Sequence, residues 1–243
     1  TTDDYLEPLR QVSKRLDSVE VDRLQPKPIV KITGEFWAQT TEGDGNFNMF
    51  RFLTNEGAEI ITEPIATWIA YMLWQTKIKA RDRKDLVEKG EEPKWYELGK
   101  RAQIEAGYLK KRAIAKFADT VFRREYSRMV EALGGTGHEI VDMDEMERLA
   151  HDFYHSRSEG GEGHLEVAKN IYYSHKYYAH MVLSLKPFGC MPSTQSDGAQ
   201  SAVVNRYKDM IFLPIETSGE GEINAHSRVQ MALGEAKAKA KRE

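Results

Sequence analysis

A short apolar segment that runs into a proline-bounded loop constrains the fold of this chain more than any other feature. Residues 181–185 (MVLSL) have the length and composition of a buried strand, and Lys-Pro-Phe-Gly-Cys-Met-Pro follows. Pro187 and Pro192 fix φ and cannot donate a ladder hydrogen bond, so we predict that the strand stops here and that no helix begins yet. The one cysteine of the sequence, Cys190, is thereby presented on a constrained loop at the carboxyl end of a strand, where open α/β sheets bind ligands.

Three further segments have the pattern of core strands, and helical patterns separate them. We predict strands at residues 29–33, 58–62, 181–185 and 210–215, and after the cysteine loop a helix at residues 197–207. Strands that alternate with helices indicate a doubly wound, mainly parallel sheet. The predicted fold class is therefore α/β, with a four-stranded sheet in a flavodoxin- or Rossmann-like domain over residues 28–243. An N-terminal helix and linker at residues 1–27 precede this domain.

A long helical insertion interrupts the predicted domain at about residues 64–134. We interpret the charge-rich residues 77–94 as a solvated helix end and a loop, and residues 95–133 as one long helical stretch. Its apolar residues are predicted to share one stripe, which comprises Ile114, Phe117, Ala118, Val121, Phe122, Tyr126, Met129, Val130 and Leu133. The basic residues of its other face are able to bind an anion or an acidic partner, but the interspersed acids favour an ordinary solvated face.

The composition excludes several functional classes. A net charge of −3 and a pI near 6.2 give no general signal for nucleic-acid binding. No apolar stretch approaches the roughly 18 residues that a membrane span needs, and the acidic, polar N-terminus does not resemble a signal peptide. One cysteine excludes an intrachain disulfide, so we expect a cytoplasmic protein with no membrane or nucleic-acid partner. The sequence does not begin with Met, as expected of a piece of a longer protein.

Three predicted loops meet at the carboxyl edge of the sheet, and we place the functional site there. They are residues 34–35, 188–193 and 216–221. Glu35 and Glu216 lie at two of the predicted strand ends, where a carboxylate is able to assist proton transfer. Capping of nearby backbone N–H groups is the plainer role for both of them.

The sequence PFGCMP after an apolar strand resembles the last domain of the 2-hydroxyacyl-CoA dehydratase and benzoyl-CoA reductase family. The resemblance is closest to the branch related to the CoA-dehydratase activases, in which PFGCMPG is typical. Other segments fit the same template in order, namely VKITGEFW (30–37), AEIITEPIATWIAY (58–71), GGEGHLEVAKNIYY (160–173) and IETSGEGE (215–222). Two departures stand out, because Ser193 replaces the usual glycine and the preceding family domain, which supplies two further cysteines, is not in this sequence.

The resemblance implies an iron–sulfur function. In that family the cysteine equivalent to Cys190 is one of three protein ligands of a [4Fe–4S] or larger cluster, and by resemblance Gly189, Pro192 and Ser193 form the loop around it. One cysteine cannot hold such a cluster, so the other thiolates are expected from a cysteine-bearing domain or subunit of the same family, and the isolated chain is expected to be inactive. The resemblance also implies a separate ATPase activator, single-electron transfer and CoA thioester substrates, with Glu35 and Glu216 assisting proton transfer to a radical intermediate.

Other interpretations of the same residues remain open. In one of them Cys190 is a buried or vestigial thiol without a ligand role. The chain is then a structural or interaction subunit that docks through residues 64–134. A thiol enzyme with Cys190 as its nucleophile is a third interpretation, although no cysteine-hydrolase signature surrounds the residue.

Two weaker motifs complete the candidate list. His151 and His155 lie four residues apart at the end of the helix predicted at residues 142–154 and are able to share a metal, although such pairs are more often surface or capping residues. The Gly-Gly-Glu-Gly segment at residues 160–163 opens a helix and is able to hold a phosphate, but it follows a helix and fails the dinucleotide pattern. A flexible linker is the plainer interpretation. The sequence has no Walker A motif, so ATP hydrolysis by this chain is not expected.

Overall fold

The computed structural model describes residues 3–242 except for residues 23, 91–95, 159, 177 and 219–220. The chain divides into two compact units. The first unit comprises Thr1–Glu20 and Pro64–Met143, and the second comprises Val21–Glu63 and Asp144–Glu243.

The second unit contains a parallel sheet, which confirms the predicted fold class. Its strands are β1 (Ile29–Gly34), β2 (Glu59–Ile61), β3 (Met181–Pro187) and β4 (Phe212–Thr217). In the described part of the chain they form a four-stranded sheet in the order β2-β1-β3-β4, with every pairing parallel. The fourth strand begins and ends two residues later than predicted, because the backbone N–H of Met210 donates to the carbonyl of Tyr207 in a turn.

The α-helices occupy both units. They are α1 (Leu6–Asp17), α2 (Phe36–Thr40), α3 (Met49–Asn55), α4 (Ile65–Gly90), α5 (Leu98–Ala132), α6 (Met143–Ala150), α7 (Gly163–His175), α8 (Met191–Arg206) and α9 (Glu222–Ala240). Short 3-10 helices occur at Asp3–Tyr5 and Asp44–Asn46. None of the helices within the described ranges is both long and apolar enough to cross a membrane.

The two faces of the sheet differ in chemistry. Side chains alternate between the faces along each strand, so the apolar residues of β1 and β3, among them Ile32 and Leu183, share one face. That face belongs to the buried apolar core, to which α3 contributes Leu53 and α9 contributes Val229 and Leu233.

The opposite face of the sheet is polar and also buried. It carries Lys31 and Thr33 from β1 and Ser184 and Lys186 from β3, each of them at most 1% exposed. Thr33 and Ser184 are neighbours in the β1–β3 register. Helices α7 and α8 cover this face, and their polar side chains contact it as described below.

The first unit is built on a pair of long helices, α4 and α5, with α1 packed against α5. Asp119 of α5 accepts hydrogen bonds from Lys77 of α4 (2.8 Å) and from Arg123 (3.1 Å). Burial raises the pKa of Asp119, but these two cations outweigh it and hold the pKa below its ordinary value. Tyr5 donates to Glu125 of α5 at 2.5 Å, which fixes the chain just before α1.

The structure refines two predictions for the insertion. Residues 77–94 were predicted to be a helix end and a loop, and the helical part is long, since α4 continues to Gly90; Lys, Arg and Glu are good helix formers. The predicted loop at residues 91–94 lies outside the described residues. The predicted apolar stripe of α5 is also divided, since Ile114, Phe117 and Val121 are 59%, 71% and 42% exposed while Ala115 is buried.

A glycine at the end of β1 generates the first prediction. Gly34 has φ +99°, and a Cβ added there would overlap the carbonyl oxygen of Leu185 on the neighbouring strand. We expect Gly34→Ala to lower the free energy of unfolding by about 3 kcal/mol or more, since it adds a clash to the cost of a positive φ. Urea denaturation followed by circular dichroism measures the loss.

Gly57→Ala is the matched control. Gly57 also has a positive φ (+82°), but nothing lies within 4 Å of an added Cβ. Its expected cost is about 1 kcal/mol, which represents the backbone conformation alone. Equal losses in the two variants would contradict the close approach of β1 and β3 at Gly34.

Candidate functional site

Cys190 lies at the junction between β3 and α8. Gly189 before it has φ +75°, and Cys190 itself is the N-cap residue with an extended backbone. Helix α8 begins at Met191, six residues before the predicted start, so the expectation that no helix begins at the cysteine loop is wrong. Pro192 is tolerated because the N–H groups of the first helical turn have no intrahelical acceptor. The N–H of Thr194 donates to the carbonyl of Cys190 at 2.9 Å and closes that first turn.

The sulfur of Cys190 is not packed in the core. The residue is partly exposed, and its neighbours Phe188 and Met191 are 77% and 59% exposed. The Sγ atom lies 3.9 Å from Oε2 of Glu35, at the distance of a weak hydrogen bond from the thiol to the carboxylate. The cysteine is therefore partly exposed, at the carboxyl edge of the sheet, beside an acidic group.

The loop after β1 holds Glu35 next to the cysteine. The backbone N–H of Glu35 donates to the carbonyl of Leu185 at 2.8 Å, so the end of β1 is bound to the end of β3. Glu35 occupies the N-cap position of α2, but its side chain makes no capping hydrogen bond. The carboxylate contacts the thiol instead.

The other predicted residues of the cysteine loop differ in environment. Ser193 is buried in the first turn of α8, where its carbonyl accepts a hydrogen bond from Ser196 at 2.9 Å. Glu216 is exposed on β4 and is the register neighbour of Lys186. The structure thus brings Glu35, Glu216 and the loop at residues 189–193 to one edge of the sheet.

Lys186 is a central residue of this edge. Its ammonium forms an ion pair with Asp197 of α8 and is buried. Burial lowers the pKa of Lys186, and the negative charges of Glu166, Glu216 and Cys190 oppose that shift. Lys186 therefore places a positive charge behind the cysteine loop.

The glycines at residues 160–163 pack against the same turn of α8. A Cβ added at Gly161 would lie 2.9 Å from the ring of Pro192, and one at Gly163 would lie 2.9 Å from the carbonyl oxygen of Pro192. Gly161 also has φ +123°. These glycines are required for the close approach of two backbone segments, which was not among the roles that the sequence suggested for them.

Glu162 lies within this glycine loop and is buried. Burial raises the pKa of its carboxyl to about 7; Lys169 opposes the shift, and the neighbouring carboxylates Glu166 and Glu35 add to it. The Nζ atom of Lys169 is 4.0 Å from Oε2 of Glu162, too far for a direct hydrogen bond. Glu162 therefore changes its charge near neutral pH, within electrostatic range of Glu35.

Helix α7 carries a row of polar side chains toward the polar face of the sheet. Glu166, Lys169, Asn170 and Tyr173 recur at the spacing of one helix face and are all buried. The carboxylate of Glu166 accepts hydrogen bonds from Ser184 of β3 (2.7 Å) and Ser196 of α8 (2.6 Å). We call the buried set between α7 and the sheet the polar layer; it comprises Lys31, Thr33, Glu63, Glu162, Glu166, Lys169, Asn170, Tyr173 and Ser184.

One end of the polar layer is an ion pair. The ammonium of Lys31 lies 2.7 Å from Oε2 of Glu63 and 4.3 Å from the centre of the Tyr173 ring, and the hydroxyl of Tyr173 donates to the same carboxylate oxygen at 3.0 Å. Burial lowers the pKa of Lys31 to about 8, and the Glu63 carboxylate opposes this shift. Burial, with Glu63 close by, raises the pKa of Tyr173. Both side chains donate to Glu63; Tyr173 retains its proton more firmly than an exposed tyrosine, whereas Lys31 loses its proton more readily than an exposed lysine.

The sequence contained a signal for this layer. In IVKIT and VLSLK the polar residues stand at alternate positions, which places Lys31 and Thr33, and likewise Ser184 and Lys186, on one face of their strands. Parallel strands buried on both faces are ordinarily continuous apolar runs. The alternation of polar and apolar residues in two predicted core strands therefore indicated that one buried face of the sheet is polar.

The histidine pair does not form a metal site. The predicted helix that carried it ends at Ala150, before either residue. Exposed His151 lies near Asp152 (3.5 Å), whereas Nδ1 of His155 accepts a hydrogen bond from the N–H of Arg157 at 3.1 Å. Among the residues that the structure describes, no group of three or more His, Cys, Asp or Glu side chains is arranged to hold a metal ion.

Comparisons with known proteins found no match: no protein-family model, no curated protein and no solved structure matched the chain. The basis for a functional proposal is therefore the geometry at the carboxyl edge together with the sequence around Cys190.

The buried carboxyl of Glu162 generates a prediction about pH. Its folded-state pKa is raised from 4.5 to about 7, so its contribution to stability is complete below pH 4.5 and is lost as the pH rises through 7. Relative to Glu162→Gln, the wild-type chain is expected to lose about 3 kcal/mol of unfolding free energy between pH 4.5 and pH 8. Denaturant titrations of both proteins across this range measure the difference.

Glu235→Gln, at an exposed position of α9, serves as the control for loss of a carboxyl group and is expected to keep the wild-type pH dependence. If the unfolding free energies of wild type and Glu162→Gln changed with pH in the same way, Glu162 would not be a buried acid with a raised pKa.

Proposed function

We propose that the chain is a subunit or domain of an ATP-dependent, low-potential iron–sulfur reductase or dehydratase system of the 2-hydroxyacyl-CoA dehydratase and benzoyl-CoA reductase type. The observation that carries the proposal is the partly exposed Cys190, held between β3 and α8 at the carboxyl edge of a parallel sheet. The PFGCMP sequence around this thiol supports the same function.

The donor set of this chain fits a shared cluster. Cys190 provides one thiolate, and a [4Fe–4S] cluster requires further thiolates from a cysteine-bearing domain or subunit. The exposed Phe188 and Met191 on either side of Cys190 suit the docking of a second protein surface around the sulfur. The cluster, when bound, supplies single-electron transfer.

The residues around Cys190 have separate roles in this proposal. Cys190 acts as a ligand through its sulfur, which lies 3.9 Å from the carboxylate of Glu35. The buried ammonium of Lys186 lies within electrostatic range of this sulfur. Glu216, next to Lys186 in the register, is exposed at the same edge and is available to a substrate.

The system as a whole includes components that this chain lacks. A separate ATPase activator delivers the electrons, and the substrate is a CoA thioester. A cytoplasmic location follows from the oxygen-sensitive, reducing chemistry of low-potential clusters.

The test is Cys190→Ala in the complex isolated under anaerobic conditions by an affinity tag on this chain. We expect iron bound to the complex to fall to background, since the cluster loses one of its thiolates, while circular dichroism shows that the chain still folds. Elemental analysis of iron per complex measures the effect. Ser193→Gly, in the same turn, is the control and is expected to retain iron. Iron content unchanged in Cys190→Ala would falsify the ligand assignment.

A second candidate function is a structural or interaction subunit that keeps the sheet without the cluster. The exposed apolar residues of α5, Leu109, Ile114, Phe117 and Val121, favour it, since such surfaces mark protein–protein contacts. Under this function the isolated complex is stable and colourless. A brown complex that contains iron supports the iron–sulfur function instead.

A further inference from the structure

Helix α5 carries one row of side chains that is covered at one end and exposed at the other. Its members follow each other at steps of three or four residues, so they share one face of the helix. We call the row the heptad stripe; it comprises Ile114, Phe117, Val121, Glu125, Arg128 and Ala132. The first three of these residues are exposed, whereas Ala132 is buried. The stripe therefore has an uncovered first half.

Helix α1, which belongs to the same unit, lies against the second half of the heptad stripe. The hydroxyl of Tyr5 donates to Glu125 at 2.5 Å, and Arg128 donates to the same hydroxyl at 3.4 Å. Further along α1, a Cβ added to Gly134 would lie 2.5 Å from Oγ of Ser13. Helix α1 thus runs from Glu125 toward the end of α5, and this face of α5 already binds one amphipathic helix.

The exposed half has the form of a docking surface for a second helix. Ile114, Phe117 and Val121 stand at positions i, i+3 and i+7, the spacing of the anchors by which amphipathic helices bind one another. Gly107, seven residues before Ile114, continues the row, and nothing lies within 4 Å of a Cβ added there. Ala118 lies one turn after Ile114 on the same side. Small residues beside apolar anchors permit the close approach of another helix.

The charge of this part of α5 is strongly basic. Residues 107–124 contain six basic residues and one acid, Asp119. Asp119 accepts hydrogen bonds from Lys77 (2.8 Å) and from Arg123 (3.1 Å). Its charge is therefore already paired, and it does not offset the remaining cations.

Three of these cations border the exposed half of the stripe. Lys110 and Lys111 lie one turn before Ile114, and Arg124 lies one turn after Val121. All three are exposed, and none of them forms a salt bridge with a described residue. A second copy of this face, parallel or antiparallel, would bring these cations against one another. Opposite charge across an interface selects the partner, so the surface fits an acidic protein.

We propose that the exposed half of the heptad stripe binds an acidic amphipathic helix of a partner protein, in line with α1. The partner's apolar residues cover the three apolar side chains, and its carboxylates pair with the three cations that border them. The face from Gly107 to Val121 is about 21 Å long, which accommodates a partner helix of about 14 residues. This site is independent of the iron–sulfur function, because α5 belongs to the first unit and Cys190 to the second.

An anionic membrane surface fits this face less well. Helices that lie on membranes bury a broad apolar face beside a charged one. The exposed half is a narrow row, and its continuation along α5 is occupied by a helix. The net charge of −3 also opposes attraction of the whole chain to anionic lipid.

The first experiment identifies what contacts the stripe in the cell. The photo-crosslinker p-benzoylphenylalanine replaces Phe117 in the tagged protein, produced in its natural cells, and mass spectrometry sequences the peptide attached on irradiation. We expect a peptide of another protein, with apolar residues at steps of three and four and a net negative charge. The same crosslinker at Arg112, exposed on the other side of α5, is the control and is expected not to attach to that peptide. A peptide of this same chain, a lipid or no product would overturn the proposal.

The second experiment tests the charges through the crosslinker at position 117. Reversing the three bordering cations is expected to lower the crosslinking yield by about tenfold or more, because the partner's carboxylates then meet like charges. This variant combines Lys110→Glu, Lys111→Glu and Arg124→Glu. The control combines Arg101→Glu, Arg112→Glu and Lys116→Glu, which are exposed on the opposite side, and is expected to retain the yield. An unchanged yield in the first variant, or equal losses in both, would contradict an acidic partner.

Two further measurements separate this proposal from its neighbours. The purified chain is expected not to sediment with vesicles of phosphatidylcholine and phosphatidylserine; sedimentation that the first variant abolishes would show a membrane-binding surface instead. Cys190→Ala is expected to retain the crosslink at position 117 even where it loses iron. Loss of the crosslink in Cys190→Ala would show that the partner is held at the cysteine loop and not by α5.

Discussion

The burial of charged groups between α7 and one face of the sheet is the constraint on which the second unit depends. Removing charges from water costs several kcal/mol for each ion unless partners compensate. The structure supplies partners in fixed positions, since Lys31 pairs with Glu63 and Glu166 accepts from both Ser184 and Ser196. The contacts of Glu166 with Ser184 and Ser196, and of Tyr173 with Glu63, fail if α7 rotates or slides, so they specify the position of that helix more sharply than apolar packing would.

The position of α7 in turn sets the geometry of the candidate site. The loop that opens α7 packs its glycines against Pro192, and Ser196 of α8 is bonded to Glu166 of α7. Cys190 is the N-cap residue of α8, so the same contacts hold the sulfur at the carboxyl edge. The polar layer and the cysteine loop are consequently packed together, so buried charged side chains lie close to the loop that carries Cys190.

The sequence predicted the strands well because the positions of strands along a chain depend on local patterns. β-branched and apolar runs identified each strand within about two residues, and the place of Cys190 in the loop after a strand was anticipated. The failures have physical causes. Pro192 was interpreted as a helix breaker, although proline is tolerated in a first turn. The apolar residues of α5 were expected to share one buried face, whereas Ile114, Phe117 and Val121 are exposed and Ala115 is buried.

The sequence by itself determined the parallel α/β sheet and the location of Cys190 after β3, because proline, glycine and side-chain alternation act through neighbouring residues. Only the tertiary structure decided which polar groups meet. Tyr173 bonds to Glu63 across 110 residues, and Cys190 contacts Glu35 across 155. Such pairs depend on strand order, register and helix orientation together, which no local pattern encodes. The raised pKa of Glu162 has the same origin, since burial and distant charges produce it.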